Sequence, residues 1–108
     1  MFLFDPKRVN VLGEYGGIGL PVENHLWWNK RNWGYVQFKN SDEVTAEYVK
    51  YANILKDYVK RGFSAAVYTQ TTDVEGEVNG LMTYDRKVIK INEAAVKNAN
   101  QSVINELK

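Results

Sequence analysis

The sequence predicts an α/β protein made of two strand–helix units. Three observations support this prediction: a short β-prone run that ends at glycines, a capped helix followed at once by a second apolar run, and a second capped helix near the end of the sequence. Strands that alternate with helices favour a parallel sheet with right-handed crossovers. We therefore expect two parallel strands, each followed by a loop and a helix.

The first strand is predicted over Arg8–Gly13. Val9, Val11 and Leu12 form a β-prone run after Asp5 and Pro6, and glycines directly after it let the backbone turn. Glu14 stands as a single carboxylate at the end of this run. The residues alone leave two interpretations open, a surface acid beside a glycine turn or the reactive end of a catalytic strand.

Residues 14–40 are predicted to form a long loop. The segment contains glycines, several asparagines and the three tryptophans Trp27, Trp28 and Trp33, without a sustained helical or alternating period. Long loops within compact domains are usually functional or disordered, and this aromatic content argues against disorder. The loop is therefore expected to carry function.

The first helix is predicted to begin at Ser41 as N-cap, with Asp42 and Glu43 in its first turn, and to end at Gly62. Apolar side chains recur through it at helical spacing. They are Val44, Tyr48, Tyr51, Leu55 and Tyr58.

The second strand is predicted over Phe63–Thr69, a continuous apolar run typical of a strand buried on both faces. A polar loop over residues 69–80 and an irregular or extended segment over Leu81–Ile91 follow it. Asn92 then caps a last helix. Its apolar side is formed by Ala95, Val96, Ala99, Val103, Ile104 and Leu107.

Length and composition indicate one domain and exclude several classes of site. The 108 residues are 44% hydrophobic, and the net charge of +1 with dispersed lysines argues against nucleic acid as the main partner. The absence of cysteine excludes a thiolate metal site, and a single histidine, His25, excludes a multi-histidine centre within one chain. We predict no metal and no cofactor.

The opening MFLF is too short for a signal-peptide core or a membrane span, so no membrane partner is expected.

Several segments together resemble a known enzyme family. The elements VLGEYGG, HLWW, AAVYTQTTDVEGEVNGL and TYDRKVIK are similar to the end of the catalytic domain of glycoside hydrolase family 2, which includes β-galactosidases, β-glucuronidases and β-mannosidases. The resemblance runs from about Asp5 to Ile104. It implies that residues 1–108 are the C-terminal fragment of a catalytic barrel. The implied fold is a partial TIM barrel of two βα units, strands seven and eight with their helices.

The resemblance also implies a catalytic role for Glu14, which matches the family's nucleophile at the end of strand seven. An ionised carboxylate there attacks the anomeric carbon and forms a glycosyl-enzyme ester that water later hydrolyses. The family's acid/base glutamate follows an asparagine after strand four, whereas Asn92-Glu93 and Asn105-Glu106 both lie in the last predicted helix. We therefore expect this chain to be inactive or nearly so by itself.

Substrate-binding residues are predicted in both loops and at the strand ends. An aromatic side chain can stack on a sugar ring and a histidine can donate to a hydroxyl, whereas Trp28 and Trp33 are expected to pack the loop onto the body. The family's tryptophan at the end of strand eight is absent here. The predicted set is Tyr15, His25, Trp27, Tyr68, Gln70 and Asp73.

Acidic residues beyond the second strand have less specific predictions. Asp73, Glu75 and Glu77 form a cluster that is either a solvated loop or a set of sugar or calcium ligands, and its spacing matches no calcium loop. Asp85 and Arg86 are expected to pair locally or to hold the tail, without a catalytic role.

Carbohydrate is the predicted ligand, and two further partners follow from the predicted fold. Two strands leave sheet edges uncovered, so the chain is expected to associate with itself through those edges or with the missing part of the barrel. The alternative function is a non-catalytic carbohydrate-binding or assembly module that uses the tryptophan-rich loop.

Overall fold

A computed structural model describes residues 5–106, so MFLF and the predicted apolar position Leu107 lie outside the described residues. The strands are β1 (Asn10–Gly16), β2 (Ile18–Gly19), β3 (Val36–Gln37) and β4 (Phe63–Thr69). The helices are α1 (Ser41–Lys60), between β3 and β4, and α2 (Glu93–Asn105), which follows β4 after a long connection. The α/β class and the positions of both helices are as predicted.

The main sheet consists of β1 and β4 in parallel, as the order of elements predicted. Strand β1 starts and ends later than the predicted Arg8–Gly13. It ends later because Tyr15 and Gly16 continue the pairing opposite Tyr68 and Thr69. Strand β4 has the predicted bounds. The two strands therefore end side by side, and the chain leaves both of them at the same edge of the sheet.

Helix α1 is capped by Asn40 rather than by the predicted Ser41. The Asn40 side chain accepts a hydrogen bond from the Glu43 N–H at 2.9 Å, and the Glu43 carboxylate accepts one from the Lys39 N–H at 2.8 Å. Ser41 instead donates its hydroxyl to the Lys90 carbonyl at 2.6 Å, which ties α1 to the segment before α2. Asn92 caps α2 as predicted.

The core lies where α1 and α2 meet the loop that follows β1. Its buried side chains are Ile18, Leu20, Val44, Tyr48 and Val96. Burying side chains of this size contributes about 1.5–3 kcal/mol each to folding. Since Ile18 and Leu20 come from the segment predicted to be a loop, that segment is part of the body of the domain.

A second small sheet orders the predicted long loop. Strands β2 and β3 pair in parallel, with Ile18 opposite Val36 and Gly19 opposite Gln37. The turn from β1 into β2 requires glycine at Gly17, where φ is +69° and a Cβ would lie 2.5 Å from the Tyr35 ring. The segment predicted as a loop is thus ordered and contains its own small sheet.

The predicted partial TIM barrel of two βα units, strands seven and eight with their helices, is wrong. The described residues form a small α/β domain with two separate two-stranded parallel sheets and two helices, which does not clearly show such a barrel fragment. Helix α2 packs mainly against α1 rather than directly over β4, and a cavity lies between it and the sheet. The barrel was implied by the resemblance to glycoside hydrolase family 2, whereas strand–helix alternation by itself predicts parallel pairing but not how many strands pair or how a helix covers them.

Strand β4 is also less covered than predicted. Ser64, Ala65 and Val67 are exposed, with Val67 at 54% of its surface. The run FSAAVYT was expected to be buried on both faces, but the helices of residues 5–106 cover one face only. The opposite face carries exposed Val11 and Val67.

Candidate functional site at the strand ends

Glu14 lies in an irregularity of β1. Leu12 is opposite Ala66 and Tyr15 is opposite Tyr68, so Gly13 and Glu14 together face the single residue Val67. This is the geometry of a β-bulge, which bends a strand and redirects a side chain, and bulges are frequent next to active sites. The Glu14 side chain is exposed. It is therefore a carboxylate presented to solvent two residues before the strand ends.

Tyr15 and Tyr68, both predicted to bind substrate, pack on the helical side of the sheet. Their rings contact each other edge to face at 5.3 Å, and Tyr68 lies 5.0 Å from the ring of Tyr48. Burial, with a smaller effect from the Tyr48 hydroxyl, raises the pKa of Tyr15 to about 12. Burial also raises the pKa of Tyr68. These two rings stabilise the strand ends on the helical side of the sheet. Their contact with substrate stays a prediction.

The three tryptophans line one side of a cleft, called here the tryptophan cleft, of about 590 Å³. Each tryptophan is between 42% and 48% exposed. The volume falls within the range of small-molecule sites, and exposed indole rings can stack on the apolar faces of sugars. The cleft is lined by Trp27, Trp28, Arg31, Trp33, Gln70, Val74, Glu75, Gly76 and Glu77.

Backbone hydrogen bonds hold the two walls of the tryptophan cleft together. The Trp33 N–H donates to the Gly76 carbonyl at 2.8 Å, and the Val78 N–H donates to the Trp33 carbonyl at 2.7 Å. This pairing joins the loop after β1 to the loop after β4. Two segments more than 40 residues apart in sequence thus form one surface.

Gln70 connects the end of β4 to the tryptophan cleft. Its side-chain NH₂ donates to the Asn79 Oδ1 at 2.7 Å, and its backbone N–H donates to the Asn79 carbonyl at 3.3 Å. Asn79 is completely buried. Since the amide nitrogen is oriented by a buried partner, the Gln70 Oε1 is left as an acceptor for a ligand in the cleft.

His25 is held by Asp85, sixty residues further along the chain. The His25 Nδ1 lies 2.8 Å from Asp85 Oδ2, and Asp85 Oδ1 accepts from the Thr83 hydroxyl at 2.6 Å and the Lys87 N–H at 3.0 Å. These hydrogen bonds, Thr83 first, lower the pKa of Asp85. The expected Asp85–Arg86 pair is not formed. Instead, Asp85 fixes the imidazole, and a nitrogen that donates to this carboxylate leaves Nε2 as the free position.

Asp73 lies beneath the cleft rather than on its surface. It is 2% exposed, and its Oδ1 accepts from Lys90 Nζ at 2.6 Å and from the Gly80 N–H at 2.9 Å. Burial raises the pKa of Asp73 and lowers that of Lys90, and the contact between them opposes both shifts. A side chain at Gly80 would collide with the backbone of Thr72 and Asp73. Asp73 thus occupies a structural position, and its substrate contact stays a prediction.

A separate apolar cavity of about 370 Å³ lies between the main sheet and the two helices. It is lined mainly by aliphatic and aromatic side chains, among them Leu12, Leu55, Phe63 and Ile104. Leu12, Tyr15 and the alanines of β4 place it on the helical side of the strands, and Glu14 is not among the residues that line it. We assign the candidate site to the strand ends because the polar groups converge there.

Of the predicted site residues, the structure brings Trp27 and Gln70 into one cleft. His25 does not line the cleft; its partner Asp85 directly follows Tyr84, whose ring centroid lies 6.4 Å from that of Trp27. Glu14 is not among the residues that line the cleft. Sequence reasoning missed Arg31 as a cleft residue and assigned Trp33 to packing, whereas Glu75 and Glu77, named as possible sugar ligands, do line the cleft. The tryptophan content of the loop was the available sequence signal for the cleft. No sequence pattern indicated the backbone pairing that turns Trp33 toward residues 76–78.

Within residues 5–106, no cluster of three or more histidine, aspartate or glutamate side chains could hold a metal ion. None of the helices in that range has the length and apolar character needed to cross a membrane. In comparisons with known proteins, no family model matches the chain and no curated protein matches it.

Proposed function

We propose that this chain is the nucleophile-bearing part of a retaining β-glycosidase similar to glycoside hydrolase family 2. The observation that carries the proposal is the position of Glu14, an exposed carboxylate in a bulge at the end of a parallel strand. The neighbouring strand ends at Thr69, and Gln70 then enters the tryptophan cleft. A reacting carboxylate and a sugar-binding surface therefore leave the sheet at the same edge.

The proposed chemistry begins with attack of a Glu14 carboxylate oxygen on the anomeric carbon of a β-glycoside. The bond from that carbon to the leaving-group oxygen breaks, and the oxygen takes the electron pair and needs a proton. A second carboxyl, about 5 Å from the first, supplies the proton and later activates the water that hydrolyses the glycosyl ester. Glu14 therefore supplies one of the two carboxyl groups that the reaction needs: it forms the ester in the first step and leaves the anomeric carbon when water attacks in the second.

The proton donor has no candidate on β1 or β4. Among residues 5–106, the glutamates that follow an asparagine, as the family's acid/base does, are Glu93 in the first turn of α2 and Glu106 at its C-terminal cap, and neither lines the tryptophan cleft. Glu75 and Glu77 do line the cleft, but they follow Val74 and Gly76 and so do not match the family's asparagine–glutamate pair. We expect the chain alone to hydrolyse ordinary glycosides very slowly or not at all. A complementing polypeptide or a second copy of this chain would have to bring the second carboxyl.

Association with such a partner fits the uncovered face of the main sheet. Val11 in β1 and Val67 in β4 are 49% and 54% exposed, Val9 just before β1 is 76% exposed, and each strand has one free edge within the described residues. Exposed edges beside apolar side chains favour pairing with another chain. Light scattering should show oligomers that a Val67→Lys substitution weakens, and a monomer at all concentrations would contradict this expectation.

The nucleophile can be tested without the proton donor. A 2-deoxy-2-fluoro-β-glycosyl fluoride needs no acid catalysis because fluoride is a good leaving group, and it forms a slowly hydrolysed ester with the nucleophile. We expect mass spectrometry to find one fluorosugar on Glu14 with at least one of the galacto, gluco or manno reagents. Glu14→Gln should abolish the label, and Glu93→Gln, an exposed acid on α2 that lines neither the cleft nor the neighbouring pocket, should not.

Failure of the labelling with folded protein would contradict the nucleophile and favour the second candidate, a non-catalytic carbohydrate-binding module. That candidate is supported by the tryptophan cleft, whose lining does not include Glu14. It predicts sugar affinity that is lost on Trp27→Ala and retained on Glu14→Gln. A calorimetric titration with both variants separates the two functions.

A further inference from the structure

A second pocket of about 400 Å³ adjoins the tryptophan cleft. It shares Trp27 and Trp28 with the cleft and is otherwise lined by Glu23, Asn24, Leu26 and Asn29, and it is called here the asparagine pocket. The two indole rings meet edge to face, with centroids 6.2 Å apart and planes at 81°. One aromatic pair therefore lines both the cleft and the pocket.

The polar groups of the asparagine pocket are free to bind a ligand. Within residues 5–106, the side chains of Glu23, Asn24 and Asn29 make no hydrogen bond or ion pair. One carboxylate and two amides beside an indole supply the acceptors and donors that sugar hydroxyls require. The cleft on the other side adds charged groups, Arg31 and Glu77.

The segment that carries Trp27 and Trp28 is held in place by contacts with other parts of the chain. The His25 N–H donates to the Val22 carbonyl at 3.1 Å, the His25 ring is held by Asp85 at 2.8 Å, and Trp27 contacts Tyr84. Asn24 adopts a left-handed conformation with φ of 69°, which asparagine tolerates better than most residues. A site held in this way loses little conformational entropy when a ligand binds.

We propose that the tryptophan cleft and the asparagine pocket form two subsites for one oligosaccharide of at least two sugar units. The inference rests on the proposed carbohydrate function. Each cavity falls within the size range of a small-ligand site, and one chain of sugars that crosses the Trp27–Trp28 pair fills both.

The test is a calorimetric titration of the chain with methyl β-galactoside, β-1,4-galactobiose and β-1,4-galactotriose, and with the corresponding glucose series. In at least one series the disaccharide should bind about tenfold more tightly than the monosaccharide, the effect of one or two added hydrogen bonds. Asn29→Ala should reduce this difference to about twofold or less while monosaccharide affinity stays unchanged.

Asn98→Ala is the matched control, because Asn98 is an exposed asparagine on α2, far along the chain from either cavity. Glu23→Gln is a second variant of the asparagine pocket for the same titration. Asn24 is not substituted, because alanine would be strained at its left-handed backbone conformation. Equal affinity for monosaccharide and disaccharide overturns the two-subsite inference and leaves the proposed function standing. Absence of binding to every sugar, together with no labelling of Glu14, overturns both.

Discussion

The tyrosines beneath the strand ends and the tryptophans of the loop differ in their surroundings although both are aromatic. Tyr15, Tyr48 and Tyr68 pack ring against ring on the helical side of the sheet, and Tyr48 donates its hydroxyl to Asn100 at 2.7 Å. Trp27 and Trp33 contact other aromatic rings but keep nearly half of their surface exposed. One group stabilises the fold, and the other is available to a ligand.

This difference teaches how the domain separates stability from recognition. The tyrosine rings come from a helix and two strands, whose backbone is fixed by regular hydrogen bonds. The tryptophans come from a loop whose order depends on a few bonds to the opposite loop, such as those of Trp33 with residues 76 and 78. Substitutions in the support beneath the loops should therefore affect the tryptophan cleft before the tyrosine core.

The largest effect is expected for Lys90→Met. This substitution leaves the Asp73 carboxylate buried without its cation, and losing one partner of a buried pair costs about 3–5 kcal/mol. The carbonyl of Val78 also loses its contact with Lys90 Nζ at 3.0 Å. Urea unfolding should show the loss, and hydrogen exchange should show it first in residues 73–80.

Two further variants sharpen this prediction. Lys87→Met, at an exposed lysine, should change the free energy of unfolding by less than about 0.5 kcal/mol. The double variant Asp73→Leu/Lys90→Met should recover most of the lost stability, since an apolar pair removes the buried charge. A double variant as unstable as Lys90→Met would contradict the charge argument.

A smaller effect is expected from alkaline pH, through the tyrosine core. Tyr15 has a folded-state pKa of about 12 against 10.0 for the free side chain, so the native state keeps a proton that the unfolded chain loses. The stability contributed by this group is complete below pH 10.0 and decreases as the pH rises toward about 12. Urea midpoints measured on both sides of pH 10.0 should fall more steeply for the unsubstituted chain than for Tyr15→Phe. Equal slopes would show that the Tyr15 hydroxyl does not contribute.

Local sequence signals predicted the elements that local chemistry determines. The bounds of β4 follow from a continuous run of mostly apolar residues. The cap of α2 follows from Asn92, whose side chain accepts a hydrogen bond from the Ala95 N–H three residues later. The α1 cap was assigned one residue late because Ser41 and Asn40 are both good caps. The tertiary bond from Ser41 to the Lys90 carbonyl decides between them.

The partners that are distant in sequence could not be predicted. Asp85 was expected to pair with Arg86 or to hold the tail but binds His25, and Asp73, predicted to bind substrate in a cluster that was otherwise a solvated loop, is buried against Lys90. In both cases the contact depends on how two loops meet, and no local pattern encodes that. The barrel prediction has a different origin, since it was implied by the family resemblance, and the described residues form two separate two-stranded sheets instead.

Apart from the Lys87→Met control, the smallest effect on stability is expected for Trp27→Ala, and it gives the clearest contrast with the core. Trp27 is 46% exposed and loses only its ring contacts with Trp28 and Tyr84, so the free energy of unfolding should fall by about 1 kcal/mol or less. The affinity for the disaccharide should be lost in the same variant, as measured by calorimetry. Trp33→Ala provides the comparison, because its ring lines the cleft but not the asparagine pocket. If Trp27→Ala unfolds the domain as strongly as Lys90→Met does, Trp27 belongs to the stabilising group and the separation between the two aromatic groups fails.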